Sequence, residues 1–317
     1  MSQAELFDNR PKVRKKKLNL LPENPDKEAR GRFPSWLHRP LPKGSNLWTT
    51  GHSVKGKKLH TVCEEAKCPN LMECWSKKTA TFLIMGKECT RSCGFCDIDF
   101  AKNPEPLEAD EPKRIAESVG ELGLKHVVIT MVARDDISDG GASHLAQVMR
   151  AVRSQNREAT IEVLTSDFEG NESALDTVLN EQPEIFNHNI ETVRKKSSSV
   201  RHKATYDRTL KVLRYAKEKR PEIYIKSGLM VGLGENPSQV KQTIRDLKEA
   251  GCDIITIGQY LQASRHKLRV QEFVTPEQFE DYASFGRSIG VANMYSGPFV
   301  RSSYNAKAVL DNAKKTI

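Results

Sequence analysis

Short apolar runs recur through the middle of the chain, and each is followed by a longer stretch with apolar residues at helical spacing. The runs are rich in β-branched residues, which favour strands. Six strands are predicted, at 81–85, 126–132, 161–165, 184–187, 223–230 and 253–258. Helices are predicted near 111–123, 140–153, 172–180, 190–197, 206–219, 236–250 and 276–289. Strands that alternate with helices pair in parallel through right-handed crossovers, so the pattern indicates an α/β fold.

Six strand–helix units are too few for a closed eight-fold barrel, and no clear seventh or eighth unit follows them. The predicted fold is therefore an open, partial (β/α)6 barrel. In folds of this kind, the functional residues lie where the strands end at their carboxyl edge.

The two ends of the chain lack this alternation. Repeated prolines break helices and strands before residue 58, so an extended arm anchored by Trp36 and Trp48 is expected there. The predicted segments are an N-terminal arm at 1–58, a cysteine-rich loop at 59–78, the barrel at 79–290 and a C-terminal extension at 291–317. The extension contains the motif Arg-Ser-Ser-Tyr at 301–304.

Composition narrows the class of protein. The chain has 50 Lys and Arg against 41 Asp and Glu, a net charge of +9, and 38% of its residues are hydrophobic. That content is enough to bury a core, and no apolar run is long enough for a membrane span. The N-terminal residues lack the apolar segment of a secretory signal, so a cytoplasmic location is expected. The basic run at 10–17 fits a solvated arm, while a nucleic-acid contact or steering toward an acidic macromolecule stays open.

Six of the seven cysteines fall within residues 63–96. In a cytosolic chain, clustered cysteines indicate metal ligands before disulfides. Cys89, Cys93 and Cys96 follow the first predicted strand directly. Three thiolates on one short loop can hold three irons of a [4Fe–4S] cluster and leave the fourth iron open. Structural zinc is the alternative, but it prefers four ligands and paired C-x2-C knuckles.

The other cysteine group, Cys63, Cys68 and Cys74, has the spacing C-x4-C-x5-C, which matches no common zinc site. It also supplies three ligands, so a second cluster is a reasonable hypothesis. The lone Cys252 is expected to be a small buried apolar residue without a functional role.

The C-x3-C-x-aromatic-C motif after the first strand resembles the radical S-adenosylmethionine (SAM) superfamily. Together with the first cysteine group and the Arg-Ser-Ser-Tyr motif, it resembles the lipoyl synthase family over roughly residues 35–306. The resemblance implies that residues 59–78 form an auxiliary cluster loop and that residues 79–290 form a radical SAM barrel.

The resemblance also implies roles for both cysteine groups. The catalytic cluster would be held by Cys89, Cys93 and Cys96, and SAM would chelate its open iron through its amino and carboxylate groups. Electron transfer to SAM would then produce a 5′-deoxyadenosyl radical. The auxiliary [4Fe–4S] cluster would be held by the first group with Ser303 on its fourth iron, and it would donate sulfur. The implied reaction inserts two sulfur atoms, at C6 and C8 of a protein-bound octanoyl chain, and consumes two SAM molecules.

Further residues are expected to contact SAM. Gly232 and Glu235 belong to a stretch after the fifth strand that looks like the adenine-contacting motif of the superfamily, and Phe95 would lie near the adenine. Asn189 and Glu191 are expected to hold the amino group or the ribose of SAM. The guanidinium of Arg201 would pair with the SAM carboxylate. Ordinary helix-start or salt-bridge roles remain open for these polar residues.

The implied partners are octanoylated lipoyl carrier domains, namely the E2 subunit of 2-oxoacid dehydrogenases and the H protein of glycine cleavage. An electron donor such as ferredoxin or flavodoxin is expected, together with Fe–S cluster assembly or carrier proteins. No nucleic-acid or membrane partner is expected. Two alternatives remain, another radical SAM sulfur-inserting enzyme and a zinc-stabilised nucleic-acid-binding protein.

Overall fold

The computed structural model describes residues 33–38, 46–77 and 79–315. Most of the expected N-terminal arm, with its basic run, lies outside the described residues. The described strands are β1 (His60–Thr61), β2 (Thr81–Ile84), β3 (Glu88–Cys89), β4 (Asp99–Phe100), β5 (His126–Met131), β6 (Thr160–Leu164), β7 (Ile185–Asn187), β8 (Tyr224–Val231), β9 (Ile254–Gln259) and β10 (Asn293–Gly297). The described helices are α1 (Asn46–Gly56), α2 (Val62–Glu65), α3 (Leu71–Ser76), α4 (Glu111–Leu122), α5 (Ala142–Gln155), α6 (Glu172–Leu179), α7 (Ser197–Val200), α8 (Tyr206–Lys219), α9 (Pro237–Glu249), α10 (Pro276–Ser288) and α11 (Ala306–Lys315).

The main sheet has the strand order β1-β2-β5-β6-β7-β8-β9-β10. All neighbours from β2 to β10 pair in parallel, whereas β1 pairs antiparallel at the edge. A longer helix follows each of the first six parallel strands, which confirms the predicted partial barrel of six strand–helix units. The short strands β3 and β4 pair with each other and flank the second cysteine group.

Local sequence explains the boundaries of the regular elements. Every residue of β5 and of β9 is buried, as expected for parallel strands that are covered on both faces. Helix α4 has Pro112 in its first turn and ends at Gly123, whose φ of 64° is the left-handed conformation that glycine adopts without strain. Helix α9 begins with a capping box between Asn236 and Gln239. These signals place the helix ends that the sequence predicts within one or two residues.

Strand β10 was not predicted. It lies in the segment expected to be an irregular C-terminal extension, and it pairs in parallel with β9 as a seventh parallel strand of the sheet. Four of its five residues are only half-buried, and its sequence Asn-Met-Tyr-Ser-Gly contains no β-branched residue. Without an apolar run, pattern analysis could not recognise this strand, since an edge position demands less burial.

The predicted helix at 190–197 is wrong. Glu191 has a φ of 67° and forms a bridge with Leu229, so the chain runs along β8 instead of coiling. Only a short 3-10 turn at Arg194–Lys196 and the four-residue helix α7 follow. A left-handed residue at the start of the segment excludes a regular helix there.

The arm is also less irregular than expected. Helix α1 occupies 46–56, because no proline occurs between Pro42 and Pro69. The expected tryptophan anchors are wrong: Trp48 is 72% exposed and stacks on His52, and Trp36 is 36% exposed.

Helix α11 closes the amino-terminal end of the barrel. Its apolar residues, Val309, Leu310 and Ala313, pack on the first residues of β7 and β9, Ile185 and Ile254. Because α11 directly follows the Arg-Ser-Ser-Tyr motif, this packing holds the C-terminal segment against the barrel. Among the described helices, none has the length and apolarity that crossing a membrane requires.

Candidate active site

A cavity of about 580 Å³, a size typical of small-molecule sites, lies at the carboxyl ends of the parallel strands. Its wall contains four of the six predicted thiol ligands and the predicted hydroxyl ligand, namely Cys68, Cys89, Cys93, Cys96 and Ser303. Of the other two thiols, Cys63 is buried, and Cys74 faces a second cavity of about 450 Å³. The fold therefore brings the whole second cysteine group, together with Cys68 of the first, to one cavity.

Backbone N–H groups point at the sulfur atoms of the second cysteine group. The sulfur of Cys89 accepts from the N–H of Arg91 at 3.4 Å and from that of Ala133 at 3.3 Å. The sulfur of Cys93 accepts from the N–H of His202 at 3.3 Å. Such donors stabilise the negative charge of thiolate ligands and of the cluster they hold, so this loop fits a [4Fe–4S] cluster.

Burial favours the neutral form of two thiols in this group, Cys93 and Cys96. It raises the pKa of Cys96 to about 12, against the opposing N–H of Ile98, and it also raises the pKa of Cys93. A bound metal supplies the positive charge that removes such protons. The neighbouring Asp97 is not available as a fourth ligand, because its carboxylate pairs with Lys67 at 2.6 Å and accepts from Ser264 at 2.7 Å.

The first cysteine group fits a second cluster. Burial raises the pKa of Cys63 to about 11 and that of Cys74 to about 12, and the other two thiols of the group add to the rise at Cys74. The indole N–H of Trp75 is buried without a hydrogen-bond acceptor among the described residues, and it acts to lower the pKa of Cys63. A sulfur atom that carries negative charge would satisfy this donor.

The C-terminal segment contacts the first cysteine group directly. Asn70 donates to the carbonyl of Phe299 at 2.8 Å, and the hydroxyl of Tyr304 donates to Glu73 at 2.9 Å. These bonds explain why Ser303 lines the same cavity as Cys68 although 235 positions separate the two in the sequence.

In the described part of the chain, no three His, Cys, Asp or Glu side chains converge closely enough to share one metal ion. Tetrahedral zinc needs its thiolates around a single ion, whereas the ligands of a [4Fe–4S] cluster each bind a different iron.

Four of the expected SAM contacts line the same cavity as the thiols: Phe95, Asn189, Glu191 and Arg201. Gly232 and Glu235 do not line it. The carboxylate of Glu235 accepts from the backbone N–H groups of Gly232 and Leu233, and a side chain at Gly232 would collide with Gln259. These two residues therefore shape the turn after β8.

Arg201 and Glu191 carry opposite charges, line the cavity and attract each other. Burial lowers the pKa of Arg201 and raises that of Glu191, and each group opposes the shift of the other. Arg201 also donates to Thr209 at 2.8 Å. His188 is buried beside them, and burial together with Arg201 lowers the pKa of its imidazole to about 4. Its imidazole is therefore neutral.

Sequence analysis missed a buried cluster of charges under the second cysteine group. The guanidinium of Arg91 pairs with Asp135 and with Asp167, both at 2.7 Å. Although burial opposes ionisation, Arg91 lowers the pKa of Asp167 to about 2. The two carboxylates follow β5 and β6, so acidic residues after strands were the signal that could have revealed them. Arg91 anchors the loop that carries Cys89 and Cys93.

Replacing Arg91 by alanine would leave these carboxylates buried without their main partner. We expect the free energy of unfolding to fall by about 3 kcal/mol, the lower end for a broken buried pair, since Lys203 and Arg208 still reach the carboxylates. Urea unfolding of the metal-free protein measures the change. The control Arg150→Ala breaks an exposed pair with Glu181 and should cost less than about 1 kcal/mol. Equal losses in both variants would contradict an anchoring role for Arg91.

Solved structures share this fold. The chain superposes on Streptococcus suis SuiB bound to S-adenosylmethionine with a TM-score of 0.55 and 12% identity, over 72% of this chain and 53% of SuiB. Methylornithine synthase (PylB) matches with a TM-score of 0.53 and 13% identity, over 86% of this chain and 77% of that protein. At these identities, the likeness supports the fold alone.

Sequence relatives are much closer. A lipoyl synthase of Protochlamydia amoebophila is 61% identical over 98% of both chains. The lipoyl synthase of Chlamydia felis is 52% identical over 93% of this chain and 96% of the relative. The model of the radical SAM superfamily matches residues 83–247, and that of the N-terminal domain of lipoyl synthase matches residues 7–68.

These families use SAM and [4Fe–4S] clusters, which confirms the cofactors expected from the sequence. The prediction of a radical SAM enzyme is likewise confirmed. The chain belongs to the lipoyl synthase family of the radical SAM superfamily.

Proposed function

We propose that this enzyme inserts sulfur atoms at C6 and C8 of an octanoyl chain that is amide-linked to a lysine of a lipoyl carrier domain. The observation that carries the proposal is the cavity whose wall contains the whole second cysteine group together with Cys68 and Ser303. The enzyme must remove hydrogen from an unactivated carbon and then add sulfur to the same carbon. The cluster that drives the first step and the cluster that donates sulfur must therefore face one substrate. A shared cavity supplies that arrangement.

The substrate chain would occupy the apolar part of the cavity. The cavity wall contains the apolar side chains of Leu83, Met131, Val132, Leu164 and Met230. Each methylene that leaves water for such a surface contributes about 0.8 kcal/mol. An apolar wall therefore holds the saturated chain and keeps water from the reacting carbons.

The cluster held by Cys89, Cys93 and Cys96 would supply reductive cleavage of bound SAM, and with it the removal of hydrogen from C6 and C8. The residues around it bind and orient SAM. Arg201 would pair with the carboxylate, Glu191 and Asn189 would hold the amino group or the ribose, and Phe95 would pack on the adenine. His188 stays neutral, so it would hold its neighbours in place without exchanging a proton.

On the other side of the substrate, Cys63, Cys68 and Cys74 would hold the auxiliary cluster, with Ser303 as the fourth ligand. An alkoxide is a hard oxygen ligand in a set of soft thiolates, so it is the ligand that leaves most readily. Tyr304 and Asn70, which tie the C-terminal segment to this loop, would keep Ser303 close.

The proposal retains the domain division of the sequence, with an arm at 1–58, an auxiliary loop at 59–78, a barrel at 79–290 and an extension at 291–317. The sheet contact of β10 makes the extension a structural part of the barrel. The enzyme would act in the cytoplasm, where clustered cysteines stay reduced and available as metal ligands. The electron donor would be a ferredoxin or flavodoxin, Fe–S carrier proteins would rebuild the auxiliary cluster, and the carriers would be E2 subunits and the glycine cleavage H protein.

Purification without oxygen, followed by iron, sulfide and product analysis, tests the proposal. We expect about eight irons per chain, as two [4Fe–4S] clusters require. An octanoyl-lysine peptide incubated with SAM and a chemical reductant should gain two sulfur atoms, with two SAM molecules cleaved for each product. Zinc without iron, or SAM cleavage by the enzyme without sulfur in the peptide, would contradict the proposal.

A further inference from the structure

One loop beside the cavity combines a fixed backbone with unpaired positive side chains. Residues 261–273 follow β9, and Leu261, Gln262 and Ala263 line the cavity. The loop then crosses the second cysteine group, where the N–H of Leu268 donates to the carbonyl of Gly94 at 2.9 Å. The hydroxyl of Tyr260 donates to the carbonyl of Leu268 at 2.7 Å. The backbone of the loop is therefore held against the active site.

The basic side chains of this loop remain free of such contacts. Arg265 and Arg269 are exposed and Lys267 is half-buried, and none of the three makes an ion pair or a side-chain hydrogen bond within the described residues. Lys195 and Lys196 follow β7 on the same edge of the barrel, and they too are unpaired there. Lys196 approaches Gly234, which also lies near Gln271 of the loop. We name this set of five residues, Lys195, Lys196, Arg265, Lys267 and Arg269, the basic rim.

An apolar patch, Phe33 and Phe273, joins this loop to the cavity wall. Phe33 is 54% exposed, lines the cavity and packs edge-to-face on Phe273 of the loop, with ring centroids 5.7 Å apart. An aromatic centre bordered by charged residues is the usual composition of a protein–protein interface. Sites that bind single-stranded nucleic acid also combine aromatic and basic residues, so single-stranded nucleic acid is the competing occupant.

We propose that the basic rim is the docking surface for an acidic face of the octanoylated carrier domain. The inference rests on the proposed function, in which the substrate chain enters the cavity from a lysine on the surface of a folded domain. That domain must then cover the edge of the cavity, where it meets the basic rim. Burial of five unpaired cations against a neutral partner would be unfavourable, so the contacting face carries carboxylates.

The chain itself does not offer this acidic counterpart in its N-terminal arm. Residues 1–32 contain nine Lys or Arg and five Asp or Glu, so the segment outside the structure is itself basic. Within the loop, Glu272 is the only acidic residue against three Lys or Arg. The complement of the basic rim therefore belongs to another molecule, and charge steering would speed its approach.

A pair of charge-reversal variants tests the docking surface on the reconstituted enzyme. Arg265→Glu/Arg269→Glu changes the basic rim, and the matched control Lys211→Glu/Arg214→Glu makes the same charge change on the exposed, unpaired face of α8. We expect the rim variant to raise the KM for an octanoylated carrier domain about tenfold or more with little change in kcat. The control variant should retain the KM of the unmodified enzyme. Both variants should convert a short octanoyl-lysine peptide at the rate of the unmodified enzyme.

Binding of the octanoylated domain, measured by calorimetry at two salt concentrations, provides a readout independent of turnover. The unmodified enzyme and the control should lose affinity as salt rises, and the rim variant should show a weaker dependence.

Equal KM values for the two variants on the carrier domain would overturn the proposal, as would a loss of peptide conversion confined to the rim variant. Binding of a single-stranded oligonucleotide that is tighter than binding of the domain, and that the rim variant loses, would assign the surface to nucleic acid instead. A failure of the unmodified enzyme to convert the peptide would instead contradict the proposed function.

Discussion

A variant in which Cys63, Cys68 and Cys74 are all alanine is expected to cleave SAM but to form no lipoyl product. The three thiols are the predicted ligands of the sulfur-donating cluster, while the second cysteine group has its own loop and its own N–H donors. The iron content should fall from about eight to about four per chain, because one of two [4Fe–4S] clusters is lost. The separation of SAM cleavage from sulfur insertion is the largest qualitative effect we expect from this group.

Iron, sulfide, 5′-deoxyadenosine and product are measured on the same anaerobic preparation. Cys252→Ala is the matched control, because it removes a buried cysteine that lies outside both groups. It should keep about eight irons and full sulfur insertion. Retention of product formation by the triple variant would show that the inserted sulfur has another source. Unchanged iron content would show that the first group holds no cluster.

The complementary variant, with Cys89, Cys93 and Cys96 replaced by alanine, should lose both SAM cleavage and product formation completely. These thiols lie on the loop that Arg91 anchors and line the cavity beside the expected SAM contacts. About four irons should remain, now in the auxiliary cluster. The two triple variants should therefore have equal iron content and opposite behaviour toward SAM.

Equilibrium binding of SAM distinguishes loss of the cluster from general damage to the barrel. We expect weaker SAM binding, because the open iron no longer chelates its amino and carboxylate groups, while the unfolding transition of the metal-free protein stays unchanged. SAM cleavage by this variant at the rate of the unmodified enzyme would refute the assignment of the second group. Mixing the two triple variants should restore no activity, since both clusters must face one cavity of one chain.

Most of the candidate site could be predicted from the sequence, because the predicted ligands of each cluster lie close together along the chain. Spacing within Cys89–Cys96 and within Cys63–Cys74 is a local property, and so is the Arg-Ser-Ser-Tyr motif. The resemblance to a family then linked the three motifs. Arg91 escaped notice because its partners, Asp135 and Asp167, are 44 and 76 positions away. An arginine in a loop has no local signal that tells a buried anchor from a solvated side chain.

The fold, too, was predictable only where its signals are local in the sequence. Periodic apolar residues and helix caps lie within windows of about 15 residues, and from these the sequence alone established six strands, most of the helices and the partial barrel. The half-buried strand β10, the left-handed turn at Glu191 and the approach of Ser303 to Cys68 arise only when distant segments pack together. The unpaired charges of the basic rim and the paired ones under the cysteine loop look alike in the sequence. Their environments differ because parallel strands bring residues from the whole chain to one edge of the sheet. Charged residues that are buried there need a partner of opposite charge, whereas exposed ones do not.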